Sequence, residues 1–133
     1  MAALKSFLTK TNTMSTYKDL LAFKKAFALA MKIFETSKHF PKEETYSLTD
    51  QVRRSSRSVC ANFAEAFRRR KYAAHFLSKL SDCDAENAET EVWIDFSFAC
   101  KYISDLEYKE LTADQQEVGR LIGDIIKNPE KYM

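Results

Sequence analysis

The chain has 133 residues, which is room for one domain with a sizeable core. Two Gly and two Pro are too few for the turns of a β-sandwich, a barrel or an alternating βα fold, and 45% hydrophobic residues exclude global disorder. The formal net charge is only +2, so the chain as a whole carries no strong charge bias, and its composition predicts a few long helices.

The chain is predicted to begin with a flexible tail over residues 1–15, followed by one folded domain over residues 16–133. Thr16 is a suitable N-cap for a first helix over residues 17–39. Pro41 ends this helix, because the residue before a proline avoids the helical region. Apolar residues recur along the helix at steps of three and four, at Leu20, Phe23, Phe27, Met31 and Phe34.

A second helix is predicted from a cap at Thr45 or Ser47 to about Arg69, and a third from about Tyr72 to Ser104. The same steps of three and four residues define the inward stripe of each helix. In the second helix this stripe is Leu48, Val52, Ser55, Val59, Asn62, Phe63 and Ala66. In the third helix it is Phe76, Leu80, Cys83, Asn87, Ile94 and Phe98.

A loop is predicted over residues 105–112, followed by a fourth helix over residues 113–127 with Thr112 as its N-cap. Gly119 and Gly123 lie four residues apart inside this helix, which indicates the close approach of another helix. Four helices joined by short loops predict an all-α fold, an antiparallel up-and-down four-helix bundle.

The cysteines and the apolar runs bear on where the protein resides. The chain has three isolated cysteines, and an odd number without a C-x-x-C pair favours reduced thiols in a cytoplasm. The longest apolar runs fall far short of the ~20 residues that span a bilayer, and the N-terminus lacks a cleavage-site pattern. A cytoplasmic protein with no membrane partner is therefore predicted.

The small net charge conceals two opposed blocks. Residues 51–72 contain seven basic residues and one acid, for a net charge of +6. The bases are Arg53, Arg54, Arg57, Arg68, Arg69, Arg70 and Lys71. Residues 82–95 contain six acids and no base, for a net charge of −6. The acids are Asp82, Asp84, Glu86, Glu89, Glu91 and Asp95.

Helical projection places the arginines of the second helix opposite its apolar stripe, where they face solvent, a second helix edge or another subunit. Antiparallel packing would bring Arg57 level with residues 82–86, and Arg53 and Arg54 level with residues 86–89. One interpretation is therefore neutralisation of the two blocks, within the chain or between subunits.

The other interpretation is a nucleic-acid surface, for which residues 68–71 matter most because they lie at the tip of the hairpin formed by helices 2 and 3. Nearby rings that could stack on bases are Phe67, Tyr72, His75 and Phe76. Ser58, Asn62 and Glu65 share one helical face and are expected to form hydrogen bonds within the bundle or between subunits, and Glu86 and Glu89 are the acids expected to meet the arginines.

No pattern of residues points to catalysis or to a cofactor. The chain has two histidines, and neither follows a glutamate by three residues, as a di-iron bundle requires. Two helical glycines cannot form a phosphate-binding loop, and no nucleophile–histidine–acid set is apparent. The sequence therefore predicts a protein with no metal site, no cofactor and no enzymatic activity.

Several ungapped blocks occur in the order found in one protein family. The first blocks are residues 17–20 with Phe23, then Phe40, Pro41, Lys42, Glu43, Glu44, Tyr46, Leu48, Thr49, Gln51, Arg53 and Arg54. The later blocks are Ser58, Asn62, Ala64, Glu65 and Phe67, then Glu86, residues 88–96 and residues 128–132. On these residues the chain resembles the four-helix bundle protein family, often labelled intervening-sequence proteins because some are encoded within inserts in bacterial large-subunit ribosomal RNA genes.

The resemblance implies a homopentamer, in which pairing of helix 2 arginines with helix 3 acids of another subunit competes with pairing within the chain. A related branch, the accessory variability determinant of diversity-generating retroelements, uses a basic pentamer surface to bind nucleic acid and a reverse transcriptase. RNA, DNA or a protein is therefore the expected partner. The family commonly has Pro at the place of Cys60 and Gly at the places of Ala66 and Arg68, so helix 2 is expected to run straight to the tip.

These expectations describe a non-enzymatic oligomer that binds structured RNA or DNA through its basic tip. The alternative is an oligomeric protein-interaction scaffold with no nucleic-acid role.

Overall fold

The computed structural model describes residues 16–133, which fold into four α-helices without a β-strand in that part of the chain. The helices are α1 (Leu21–Ser37), α2 (Leu48–Arg68), α3 (Ala73–Ala99) and α4 (Asp105–Lys127). Short 3₁₀ turns lie at Tyr17–Asp19, Lys42–Glu44 and Pro129–Lys131. The all-α prediction is confirmed, and the predicted tail over residues 1–15 lies outside the described residues. Within residues 16–133, no helix has both the length and the apolar character needed to cross a bilayer.

Thr16 caps the start of the described chain, as predicted, but the turn it caps is 3₁₀. Its Oγ1 accepts the N–H of Lys18 at 3.2 Å, and the carboxylate of Asp19 accepts the N–H of Thr16 at 3.0 Å. Leu20 is then extended, with φ −68° and ψ 135°, which interrupts the helical run. The first α-helix therefore begins at Leu21 rather than at Tyr17.

The corner between α3 and α4 differs most from the sequence prediction. α3 ends at Ala99, and residues 105–112 are the first turns of α4 rather than a loop. Ser104 is the N-cap in place of Thr112, because its Oγ accepts the N–H of Glu107 at 3.1 Å and the Glu107 carboxylate accepts the N–H of Ser104 at 2.8 Å.

The end of α3 has a geometry that its sequence does not indicate. Lys101 adopts a left-handed conformation, with φ 64°. The N–H of Tyr102 bonds to the C=O of Ser97 and the N–H of Lys101 to the C=O of Phe98, both at 2.9 Å, which is a Schellman motif. This position is usually glycine, and a lysine there carries no signal of a helix end.

The predicted inward stripe of α2 is confirmed, since all seven of its residues are buried. In α1, by contrast, Phe23 is the one residue of the predicted stripe that is buried. The face that α1 buries consists of Ala22, Phe23, Ala26, Leu29, Ala30, Ile33 and Ser37. Apolar residues surround most of α1, so periodicity alone could not select its inward face.

Each helix packs against its neighbours in sequence, and α1 also packs against α4, which is the contact pattern of an up-and-down bundle. Between α1 and α4, Lys25 pairs with Glu117 at 3.2 Å and Lys32 with Asp114 at 2.9 Å, so the two helices run in opposite directions. Between α2 and α3, the buried Thr90 donates its hydroxyl to Ser55 Oγ at 2.8 Å.

α3 and α4 approach closely at Gly119. Asn87 Nδ2 donates to the backbone C=O of Gln115 at 3.1 Å, and Gln115 Nε2 donates to the C=O of Asn87 at 3.2 Å. A Cβ on Gly119 would lie 3.2 Å from Asn87 Nδ2, whereas a Cβ on Gly123 would meet nothing within 4 Å beyond its own stretch of helix. The predicted close approach is therefore present at Gly119 and not at Gly123.

Candidate nucleic-acid interface

Residues 68–71, here named the basic tip, lie where α2 gives way to α3. The N–H of Arg69 bonds to the C=O of Ala66 at 3.1 Å, and the N–H of Tyr72 bonds to the C=O of Arg69 at 3.0 Å, so the connection is a tight turn. α2 continues to Arg68, as expected from the absence of Pro and Gly in this helix. All four side chains of the basic tip are exposed.

Among residues 16–133, none of the four basic-tip side chains forms an ion pair within 4.0 Å. The one acid of the basic block, Glu65, pairs with Lys79 at 3.5 Å, and Lys79 also lies 3.5 Å from Asp82. Lys79 on α3 therefore occupies the nearby carboxylates, and the tip keeps its positive charge. Unpaired cations on an exposed turn attract polyanions.

Arg53 and Arg57 turn toward α1. The sequence had left solvent, a second helix edge or another subunit open as their surroundings, and the structure places these two arginines at a second helix edge. Arg53 Nε donates to Ser37 Oγ at 2.7 Å, and its guanidinium lies 4.8 Å from the ring centroid of Phe34. The guanidinium of Arg57 lies 5.4 Å from the same centroid. These two arginines therefore cover an aromatic ring of their own chain.

The acids of α3 do not pair directly with the arginines of α2. In the described part of the chain, no carboxylate of residues 82–95 lies within 4.0 Å of an arginine nitrogen. Burial, Glu89 and Asp82 raise the pKa of Glu86, and the charge of Arg54 acts against that rise. The charge of Arg54 thus acts on Glu86, as the predicted register requires, but among the described residues no direct ion pair joins an arginine of α2 to an acid of α3.

The polar residues predicted on α2 divide into two groups. Asn62 Nδ2 donates to the C=O and the Oγ of Ser58, at 2.9 and 3.2 Å, so this pair stays within one helix. Glu65 reaches α3 through its ion pair with Lys79. On α3 itself, Glu89 accepts the indole N–H of Trp93 at 3.1 Å. Glu65 is therefore the residue of this set that links two helices.

The rings near the basic tip also divide into two groups. Phe76 is fully buried, and the ring of Phe67 packs against it edge to face at 5.2 Å. Tyr72 is 65% exposed and its ring lies 5.9 Å from that of the exposed His75. Tyr72 and His75 are accessible at the tip, whereas Phe76 belongs to the core.

α3 carries a second apolar face that the sequence analysis missed. On the side opposite its buried face, five exposed residues follow helical steps, and we name them the outer stripe: Ala85, Ala88, Val92, Phe96 and Ala99. Val92 and Phe96 are 45% and 51% exposed. The acids of residues 82–95 border the stripe on both sides. Because its apolar residues lie on two opposite faces, α3 lacks the one-sided apolar pattern by which an amphipathic helix is recognised.

No group of three His, Cys, Asp or Glu side chains within residues 16–133 is placed to hold a metal ion. Exposed features of the described chain include the basic turn, the acid-bordered apolar stripe and shallow grooves between elements.

Comparisons with known proteins agree with this architecture. The sequence model described as 23S rRNA-intervening sequence protein matches residues 18–124. A similar solved structure is a protein of unknown function from the S23 ribosomal protein family of Bacteroides thetaiotaomicron VPI-5482. It shares 29% sequence identity and a TM-score of 0.74, and the match covers 80% of this chain and 96% of that one. No curated protein matches the chain.

The family match covers most of the chain, as the residue blocks in the sequence had suggested. The chain therefore belongs to the 23S rRNA-intervening sequence protein family.

Proposed function

We propose that this protein is a non-enzymatic, cytoplasmic homo-oligomer that binds nucleic acid through its basic tip. The observation that carries the proposal is the set of four consecutive exposed cations, residues 68–71, without an ion-pair partner among residues 16–133. When cations that are not neutralised by their own chain bind phosphates, they displace the counterions condensed on the nucleic acid, and the release of these counterions drives binding. The association of the family with ribosomal RNA makes structured RNA the first ligand to test.

The outer stripe supports self-association. Half of the surface of Phe96 and nearly half of that of Val92 face solvent in a single chain, and covering them is worth about 1 kcal/mol for each side chain. The acids that border the stripe complement the exposed Arg54 of a second copy. We propose the ring-shaped pentamer that the family resemblance implies, in which several basic tips gather on one rim and bind one nucleic acid together.

The nucleic-acid proposal is tested by fluorescence polarisation with a labelled RNA hairpin. If the four cations of the basic tip neutralise four phosphates, the affinity for the RNA should fall about 50- to 150-fold between 50 and 200 mM salt. The triple variant R68E/R69E/R70E should lose binding. The matched control K42E/K101E/K109E changes the same number of charges on exposed lysines at the opposite end of the bundle, and it should bind nearly as well as the wild type. Unchanged binding by the tip variant would exclude this surface.

Self-association is tested by light scattering. V92E/F96E should reduce the wild-type oligomer to the mass of one chain, because it places two charges on the outer stripe. L106E adds a charge at another exposed apolar residue, which is 66% exposed at the start of α4, and it should leave the mass unchanged. A wild-type protein with the mass of one chain would refute the ring.

The outer stripe also favours a second candidate function, an oligomeric scaffold that binds other proteins and has no nucleic-acid role. Apolar helix faces of this kind are typical protein contacts. Salt separates the two candidates, because an apolar contact loses little affinity between 50 and 200 mM salt, whereas phosphate binding falls steeply.

A further inference from the structure

Three segments that are far apart in the sequence meet beside the basic tip. They are the first turn at residues 16–20, the last turn of α2 with the adjoining part of the basic tip at residues 64–70, and residues 131–133. The antiparallel arrangement brings the start of α1, the end of α2 and the end of α4 to one end of the bundle. Between these segments lie two adjoining hollows of about 240 and 340 Å³, here named the tip groove.

The tip groove combines aromatic rings with cations. Tyr17 lines the smaller hollow and Tyr132 the larger one, and Phe67 and Arg70 line both. Lys131 adds a second cation to the larger hollow. A volume of about 340 Å³ lies within the range of small-ligand sites, which begins near 300 Å³.

The rings of the groove are supported from behind by the core. The Phe67 ring packs edge to face on Phe76 at 5.2 Å, and the Tyr17 ring packs in the same way on Phe23 at 5.1 Å. The guanidinium of Arg70 lies 5.9 Å from the centroid of Phe67. A ring backed by the core beside an exposed cation is the pairing with which proteins hold a nucleobase and its phosphate.

We infer that the tip groove holds one unpaired nucleotide, with its base against Phe67 and Tyr132 and its phosphates at Arg70 and Lys131. This inference rests on the proposed nucleic-acid function and adds the class of ligand, which is single-stranded or looped-out nucleic acid. In a duplex the bases are stacked and paired, so a base reaches the groove only after it is extruded, at a cost of a few kcal/mol.

The test compares a labelled 12-nucleotide single-stranded RNA with the same strand in a duplex, by fluorescence polarisation. The decisive pair is R70A and R69A, because both remove one exposed arginine of the basic tip, but Arg69 lines neither hollow. R70A should weaken single-strand binding at least about fivefold more than R69A, and the two should weaken duplex binding equally. Y132A should lose about fivefold or more in single-strand affinity, the smallest effect typical of one base–ring contact, while Y132F retains it.

Each outcome decides the inference. Equal single-strand affinities of R70A and R69A would overturn the groove, whatever the effect of Y132A, but leave the basic tip as the binding surface. Failure of the wild-type protein to bind either RNA would overturn both proposals. If Y132A does not fold, as judged by circular dichroism, the arginine pair still decides, since both side chains are exposed and their removal leaves the core intact.

Discussion

Alanine at Gly119 should not stabilise this protein, whereas alanine at Gly123 should. Both glycines lie inside α4, where alanine is favoured over glycine by about 1 kcal/mol. At Gly123 the new methyl group meets nothing within 4 Å beyond its own stretch of helix. G123A should therefore increase the free energy of unfolding by about 1 kcal/mol.

At Gly119 the same gain is opposed by a steric conflict. The new Cβ would lie 3.2 Å from Asn87 Nδ2, and Asn87 is only 2% exposed, so it cannot swing into solvent. Its Nδ2 is held by the C=O of Gln115, and its Oδ1 already lacks a partner. Moving the amide weakens the remaining bond, and a buried polar group without a partner costs about 1–3 kcal/mol. G119A should therefore lie between neutral and about 2 kcal/mol less stable than the wild type.

Urea unfolding followed by circular dichroism measures both variants, at one protein concentration because the stability of an oligomer depends on it. A difference of 1 kcal/mol corresponds to about 3–5 °C in Tm for a chain of this length. In the N87A background the conflict is gone, so adding G119A should then be stabilising. Stabilisation by G119A equal to that by G123A would refute the close contact between α3 and α4.

Three further predictions concern single residues. K101G should raise the free energy of unfolding by about 1 kcal/mol in the same urea assay, because glycine tolerates the left-handed conformation at φ 64°. Iodoacetamide at pH 8 should modify the exposed Cys100 and spare Cys60, since burial raises the pKa of Cys60 to about 12, and mass spectrometry of the native protein checks this. The hydrogen bond to Glu44 raises the pKa of Tyr102 to about 12, so its stabilisation is complete below the ordinary value near 10 and is lost as pH rises through about 12. NMR titration should place the Tyr102 midpoint near 12, and E44Q should move it back toward 10; an unshifted midpoint in the wild type would contradict the bond.

How much of the fold could be predicted depended on how clearly each helix separates its apolar residues from its polar ones. α2 alternates arginines with small or apolar residues, so its inward face was apparent and is confirmed. α1 and α3 are apolar on more than one side, so the predicted inward stripe of α1 was wrong except at Phe23, and the outer stripe of α3 was missed. The cap at Ser104 followed the Ser-x-x-Glu pattern, but the lysine at position 101 gave no sign that a helix ends just before it.

The sequence by itself determined the helical fold, the position of the basic tip and the family, because each depends on composition or on residues close together in the chain. Only the tertiary structure decided that Lys79 takes the carboxylates near the tip, that Arg53 and Arg57 turn onto Phe34, and that the tip groove exists. Such contacts depend on the rotation and register of packed helices. A shift of one residue rotates a helical position by about 100°, which no local pattern of residues could resolve.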